Sequence, residues 1–456
     1  MRRPIDYDFD PLALHRAAPA RYPFLLESVA RGAETARYDL LLAFPGERLT
    51  LERSGELWHD GVCLEEDHFL PQLDRLWQRA AAGYRDEAAA HEWPFVGGWF
   101  LFLGYELADQ VEPSLGLAYG EDPLPVAVAV RTPVALVRDH QQRQAWLMAD
   151  HAAGEAEVAT VMADLTELKA RAPEPIPPAA IRRLDEEPPQ RYLDGVGRIR
   201  DYIREGDVFQ VNLSRRWYGQ LATGSTASDL YAALREHNPA PFAALAQIGS
   251  AHVVSSSPER LLRLRGGVAD TRPIAGTRPR HARLDDDRAL EQELITHPKE
   301  RAEHVMLIDL ERNDLGRVCT PGSVQVDELM VLEHYAHVHH IVSNVRGELR
   351  PEVSPGQAIA AVFPGGTITG CPKVRCMQII DQLEPEPRGA YTGSLGWLDH
   401  RGNLDLNILI RTLVVEGEDF SLRAGAGIVA DSDPTNELAE TRAKARGLLR
   451  ALGLES

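Results

Sequence analysis

A globular fold of mixed helices and strands is predicted by three features of this chain. Its 456 residues are 44% hydrophobic and 26% charged, enough to bury a sizeable core. No apolar run approaches the roughly 18 residues of a membrane span, so no membrane association is expected. Strand-like runs at 39–44, 125–137, 252–256 and 407–415 interleave with helical patterns at 69–82, 153–171, 298–310 and 373–383.

From the N-terminus onward, the first ten residues lack the apolar stretch of a secretory signal, and their acidic residues argue against a transit peptide, so the cytoplasm is the expected location. Residues 1–172 alternate strand runs with Ala-rich helices and carry no catalytic-looking cluster; they read as a supporting or regulatory-like region. A proline-rich stretch, Pro173-Glu-Pro-Ile-Pro-Pro178, cannot continue the preceding helix and opens a stiff linker over 173–189. Residues 190–456 are denser in Gly, His and paired acids and read as the catalytic region.

Charge narrows the function classes. With 49 basic and 68 acidic residues the net charge is −19, which repels a phosphate backbone, so no nucleic-acid partner is expected. Lysine survives only at Lys169, Lys299, Lys373 and Lys444. Arg cannot replace a compact ammonium, so each of these four merits attention, with chance survival as the alternative. Cys63, Cys319, Cys371 and Cys376 form no CxxC pair, zinc-type cluster or Gly-x-Cys-x-Gly elbow and read as reduced core thiols.

Several groups of residues can carry chemistry. Glu300 with Glu303, and Glu437 with Glu440, are spaced i, i+3 on predicted helices, so each pair shares a face. Two such helices can build a Mg²⁺ site, since that ion takes one or two protein carboxylates and completes its shell with water and anionic substrate; two solvated helix faces are the alternative. Lys444 is placed equally well for an i, i+4 ion pair with Glu440. The glycine-rich turns Pro364-Gly-Gly-Thr-Ile-Thr-Gly370 and Ala424-Gly-Ala-Gly427 can offer backbone N–H groups to a carboxylate, and neither matches a dinucleotide or P-loop fingerprint. His339 and His340 fall on opposite faces of a predicted strand, where one imidazole can serve as acid or base and a hydrogen-bonded core His is the alternative.

These pieces occur in one order with Gln210-Val-Asn-Leu213, Ser257-Pro-Glu259, Pro273-Ile-Ala-Gly-Thr277, Glu303 to Asp314, His340-Ile-Val-Ser343, Phe363-Pro-Gly-Gly-Thr367, Ile410-Arg-Thr412, Gly425-Ala-Gly-Ile-Val429 and Glu440-Thr-Arg-Ala-Lys444. Together they closely resemble the chorismate-utilising enzymes over residues 190–456, and more loosely through Pro23-Phe-Leu-Leu-Glu-Ser28. The resemblance implies an α+β fold of the anthranilate synthase component I type: two large antiparallel β-sheets packed face to face with helices outside, the N-terminal half adding strands to the shared core.

The resemblance also implies roles. Glu303 and Glu440 are expected to ligate Mg²⁺, with Glu300 and Glu437 behind them, and the ion to clamp the ring carboxylate of chorismate. Gly276, Thr277, Tyr391, Arg411, the Gly425-Ala426-Gly427 turn and Lys444 are expected around the substrate's carboxylates and enolpyruvyl group. His340 and Thr367 match positions beside the ring, and Glu259 matches the acid that protonates the departing 4-hydroxyl. Gln210 stands where water-using relatives carry a Lys base; ammonia is already nucleophilic and needs none.

Among ammonia users, the motifs at Gln210, Val338, Phe363 and Asn238-Pro-Ala-Pro-Phe242 resemble aminodeoxychorismate synthase component I, the 4-aminobenzoate and folate branch. Ala275 instead matches anthranilate synthase component I, the tryptophan branch, because many aminodeoxychorismate synthases carry a Lys nucleophile there. Its absence leaves direct attack by ammonia, or ammonia adding first at carbon 2. Ser28, Pro241 and Phe242 mark a possible tryptophan pocket. A separate glutamine amidotransferase subunit is the implied ammonia source, and an inactive partner subunit of such an enzyme is the distant alternative.

Overall fold

The computed structural model describes residues 1–30, 36–65, 67–84, 93–171, 176, 179–281, 283–334 and 338–454. Most of the proline-rich stretch, 173–175 and 177–178, lies outside the described residues, as does the side chain of Thr277. Among the described residues the chain builds two twelve-stranded sheets with every pairing antiparallel, and eleven α-helices. This is the expected α+β architecture.

Both sheets draw on both halves of the sequence. In the first sheet, Phe24–Glu27 pairs with Phe242–Ile248, so Leu25 lies opposite Leu245. In the second, Gly98–Leu103 pairs with Ser394–Asp399. The inner faces of the two sheets meet: Phe24 of the first stacks on Phe100 of the second, ring centroids 3.8 Å apart, within a cluster that includes Leu42, Phe102, Val128, Val137 and Ala246. Outside the first sheet lie the helices Pro11–Ala17, Ala227–His237 and Pro434–Ala451. Phe69–Ala81 covers the second sheet through Phe69, Leu73 and Leu76, packed with Leu49 and Leu51. Within the expected linker, Ile181–Glu186 forms an edge strand of the first sheet against Gln210–Leu221.

Two runs expected to be single strands are each two strands. The run 125–137 divides at Pro133 into Ala127–Thr132 in the second sheet and Val134–Asp139 in the first; proline cannot donate to a ladder, and the chain changes sheets there. The run 407–415 likewise divides into Leu404–Asn407 and Thr412–Glu416, again in different sheets. The Ala424–Gly427 segment, expected as a turn, lies inside the strand Asp419–Ile428, its residues paired with Asn212 to Arg215. The cysteines are free thiols, as expected, but Cys63 is exposed rather than in the core.

Candidate functional site

The site forms where the chain passes between sheets. Ala251–Ser257 belongs to the first sheet and Arg260–Arg265 to the second, so Glu259 stands on the crossing. The return crossing, 408–411, runs alongside: Ile408 N–H donates to the Glu259 carbonyl at 3.0 Å, and Ser256 N–H to the Arg411 carbonyl at 3.1 Å. Arg411 takes φ +51°, a left-handed conformation that a non-glycine residue holds only when its surroundings impose it.

The Glu259 carboxyl is buried, and its Oε1 has no hydrogen-bond partner among the described residues. Burial raises its pKa to about 7, against the opposing pull of the Thr367 hydroxyl, the Ile274 backbone, Arg411 and Lys444. Thr367, in the short 3₁₀ turn Gly366–Ile368, supplies the buried hydroxyl that faces this carboxyl. His340 lies on the strand Val338–Glu348, opposite Thr277. Its Nδ1 is 3.2 Å from the Gly276 carbonyl, which can only accept, so Nδ1 carries the proton and Nε2 the lone pair. Burial first, then Arg411, hold its pKa down to about 3, keeping the imidazole neutral. Gly276 sits at a bulge with φ +62°, next to buried Ala275.

Gln210, Tyr391 and the strand glycines form a second wall. A Cβ on Gly427 would lie 2.0 Å from Gln210 Nε2, and one on Gly425 would lie 2.8 Å from the Tyr391 hydroxyl, so these glycines admit side chains against bare backbone. Ala426 between them is fully buried. Gln210 Oε1 and Asn212 Oδ1 are buried without hydrogen-bond partners among the described residues, unmet polar atoms of the kind that accept a ligand or water. Lys444 reaches from Pro434–Ala451 to the Gly425 carbonyl at 3.0 Å and to Glu440 at 2.8 Å. Behind Tyr391, Arg388 is pinned by Glu384 at 2.7 Å and the Asn212 carbonyl at 2.8 Å.

The two acidic pairs take different environments. Glu300 accepts from Arg278 at 3.2 Å and faces Gly276, whereas Glu303 is half-buried one turn on. Glu437 is buried and Glu440 is exposed. Among the described residues no group of three His, Cys, Asp or Glu ligand atoms closes around any of these four. Their donor chemistry, carboxylate oxygen on two helices, still suits Mg²⁺, which needs only one or two protein ligands.

Sequence reasoning missed Glu311. On the helix Pro298–Gly316, Glu300, Glu303, Glu311 and Asp314 fall within about 80° of one another at 100° per residue, and that stripe was the available signal. Glu311 is buried, and burial followed by Asp314 raises its pKa to about 8; Glu259 acts in the same direction. Asp314 is paired with Lys373. Asn212, likewise missed, sits within the Gln210-Val-Asn-Leu213 motif.

Ser28, Pro241 and Phe242 do meet: the Ser28 hydroxyl donates to the Tyr38 carbonyl at 2.9 Å, and all three line a cavity of about 80 Å³. A larger cavity of about 420 Å³ lies beyond Tyr391, lined by Arg216, Arg388, Arg423 and Asp122, and Glu259, His340 and Arg411 are not part of its wall.

Known proteins resemble this chain in fold and sequence. A crystal structure of anthranilate synthase component I from Streptococcus pneumoniae superposes with a TM-score of 0.79 at 32% identity, covering 91% of this chain and 93% of that one. Aminodeoxychorismate synthase component 1 of Bacillus subtilis is 43% identical over 374 residues, 80% of this chain and 79% of the relative. Anthranilate synthase component 1 of Pseudomonas putida is 39% identical over 473 aligned positions, 98% of this chain and 94% of the relative. The family model described as chorismate binding enzyme matches residues 47–450, and the chain belongs to that family.

Proposed function

We propose that the chain is the synthase component of an aminodeoxychorismate synthase, replacing the 4-hydroxyl of chorismate with ammonia to give 4-amino-4-deoxychorismate for 4-aminobenzoate and folate supply. Ammonia as the nucleophile is carried by a neutral amide, Gln210 on Gly427, in a site whose acid, Glu259, has a pKa near 7, and the choice of carbon 4 by the motifs at Gln210, Val338, Phe363 and Asn238-Pro-Ala-Pro-Phe242. Ammonia needs no base, whereas a hydroxide leaving group needs a proton. The C4–O bond breaks as the C4–N bond forms. Glu259 gives its proton to the departing oxygen, which leaves as water, and recovers one from the new ammonium.

Arg411 presents its planar guanidinium to a substrate carboxylate. Lys444 and the polar side chains over Gly425 to Gly427 hold the enolpyruvyl arm, with Gly276, Thr277 and Tyr391 completing the enclosure. Neutral His340 and Thr367 border the ring. Glu303 and Glu440, backed by Glu300 and Glu437, would hold Mg²⁺, which when bound neutralises the ring carboxylate as a Lewis acid. Cys376 donates to the Gln210 carbonyl, and burial holds its pKa well above the ordinary thiol value, as burial also raises those of Cys319 and Cys371. These three thiols make poor nucleophiles, in keeping with a separate glutamine amidotransferase subunit as the ammonia source; the cytoplasm is the proposed location.

A second reading, anthranilate synthase component I, is favoured by Ala275 in place of a lysine nucleophile. The Ser28 cavity bears on regulation alone: its 80 Å³ is well below the roughly 300 Å³ at which ligand pockets begin, which argues against regulation by tryptophan under either reading. The test is incubation with chorismate, Mg²⁺ and ammonium at high pH, with mass spectrometry and pyruvate assay. A 4-amino product that keeps its enolpyruvyl group supports the first reading; fluorescent anthranilate with stoichiometric pyruvate establishes the second.

A further inference from the structure

We infer that Glu291, His334 and His339 form a binding site for a divalent transition metal of the zinc class, distinct from the carboxylate site expected for Mg²⁺. Three elements converge there: the helix Leu284–Thr296 supplies Glu291, and the strands Gln325–His334 and Val338–Glu348 supply the two imidazoles as cross-strand partners. The His334 and His339 Nδ1 atoms are 2.9 Å apart, and Glu291 Oε1 lies 3.4 Å from the first and 3.7 Å from the second. A tetrahedral ion with bonds of about 2.0–2.1 Å has ligand–ligand edges of about 3.3 Å, so these atoms need move only a few tenths of an ångström.

The proton arrangement is prepared for a metal. His339 Nε2 is 2.9 Å from Asp287 Oδ1, and a carboxylate only accepts, so Nε2 carries the proton and Nδ1 the lone pair. Asp287 is itself fixed by Arg280 at 2.9 Å and by the His281 N–H at 2.8 Å. A ligating imidazole that donates its other N–H to an anchored carboxylate is the usual outer support of a zinc ligand. Two imidazole nitrogens and one carboxylate oxygen suit zinc-class ions, whereas Mg²⁺ prefers oxygen alone. His339 is fully buried and the His334 side chain is 48% exposed, which leaves the fourth position open to water. Without an ion the same atoms can form a plain hydrogen bond, His334 Nδ1–H to His339 Nδ1. Occupancy would tie the helix to the end of the strand that carries His340.

The full chain, stripped with a chelator and dialysed, is titrated with Zn²⁺ against a chromophoric competitor in excess Mg²⁺, and separately loaded with Co²⁺. One equivalent of Zn²⁺ per chain and an intense tetrahedral Co²⁺ band are expected. Both should be lost in His334→Ala and Glu291→Gln, with Asp287→Asn weakening binding about 10- to 100-fold. His334 is exposed, so its variant should fold, and circular dichroism verifies this; His334→Gln is the alternate variant. Zn²⁺ binding should survive in Glu303→Gln/Glu440→Gln. Absence of stoichiometric binding, persistence in His334→Ala, or loss in the Glu303/Glu440 double variant overturns the assignment.

Discussion

A methyl group placed on Gly276 would sit 2.9 Å from Oε2 of Glu300 and 2.7 Å from Leu294 Cδ1. The bulged strand of the Pro273–Thr277 motif and the first acidic pair are therefore held at one separation, which only glycine at φ +62° permits.

Gly276→Ala should consequently disturb the acids as well as the backbone. Left-handed backbone costs an alanine about 1–2 kcal/mol, visible as a lowered Tm. If Glu300 supports Mg²⁺, the KM for Mg²⁺ in chorismate turnover should rise as well. A lowered Tm with an unchanged Mg²⁺ dependence would confine Gly276 to a backbone role.

Glu259→Gln should lower kcat about 10²- to 10⁴-fold with ammonia as substrate, with chorismate affinity largely kept. In the wild-type chain, turnover per unit of free ammonia should fall above pH 7, where Glu259 loses the proton that it donates. A profile flat from pH 6 to 9, or a Gln variant with full activity, would remove Glu259 from the proton-donor role.

Glu311→Gln probes a buried acid to which the family motifs give no role. Its folded pKa, about 8, lies above the ordinary 4.5, so the native state binds the proton more tightly. Its contribution is fully favourable below pH 4.5 and is lost as pH rises toward 8. Thermal melts should therefore show the Gln variant gaining on wild type between pH 5 and 8, with the gap constant above. A gap independent of pH would mean that Glu311 titrates normally.

Gly427→Ala should evict the Gln210 amide, because the new Cβ would fall 2.0 Å from its Nε2, the far end of a movable side chain. Stability should change by no more than about 1 kcal/mol, while ammonia-dependent kcat/KM falls at least as far as in Gln210→Ala. Steady-state kinetics beside thermal melts separate the two effects; full activity in Gly427→Ala would show that the amide is dispensable.

Much of this protein is legible in its amino-acid sequence. The helix Lys373–Leu383 has the predicted bounds, and Phe69–Ala81 ends one residue early, because both carry unbroken 3.6-residue apolar periods. Family membership rests on ordered motifs whose residues do meet: Glu259 beside Thr367, His340 on Gly276, Gln210 on Gly427. Lys444 shows the limit of local spacing, since its ion pair with Glu440 and its reach to Gly425 coexist.

The chain by itself determined which residues are present for chemistry, where prolines and glycines break or permit backbone, and which faces of helices are apolar, because these follow from local geometry. Only the tertiary structure decided that 407–415 breaks and changes sheets, placing Arg411 beside Glu259, and that Glu311 is buried with a raised pKa. The physical reason is the same in both cases. The inner faces of both sheets are buried in shared clusters, so an apolar run reads alike on either side of a crossing. Sheet membership and desolvation depend on partners far away in sequence, which no local period records.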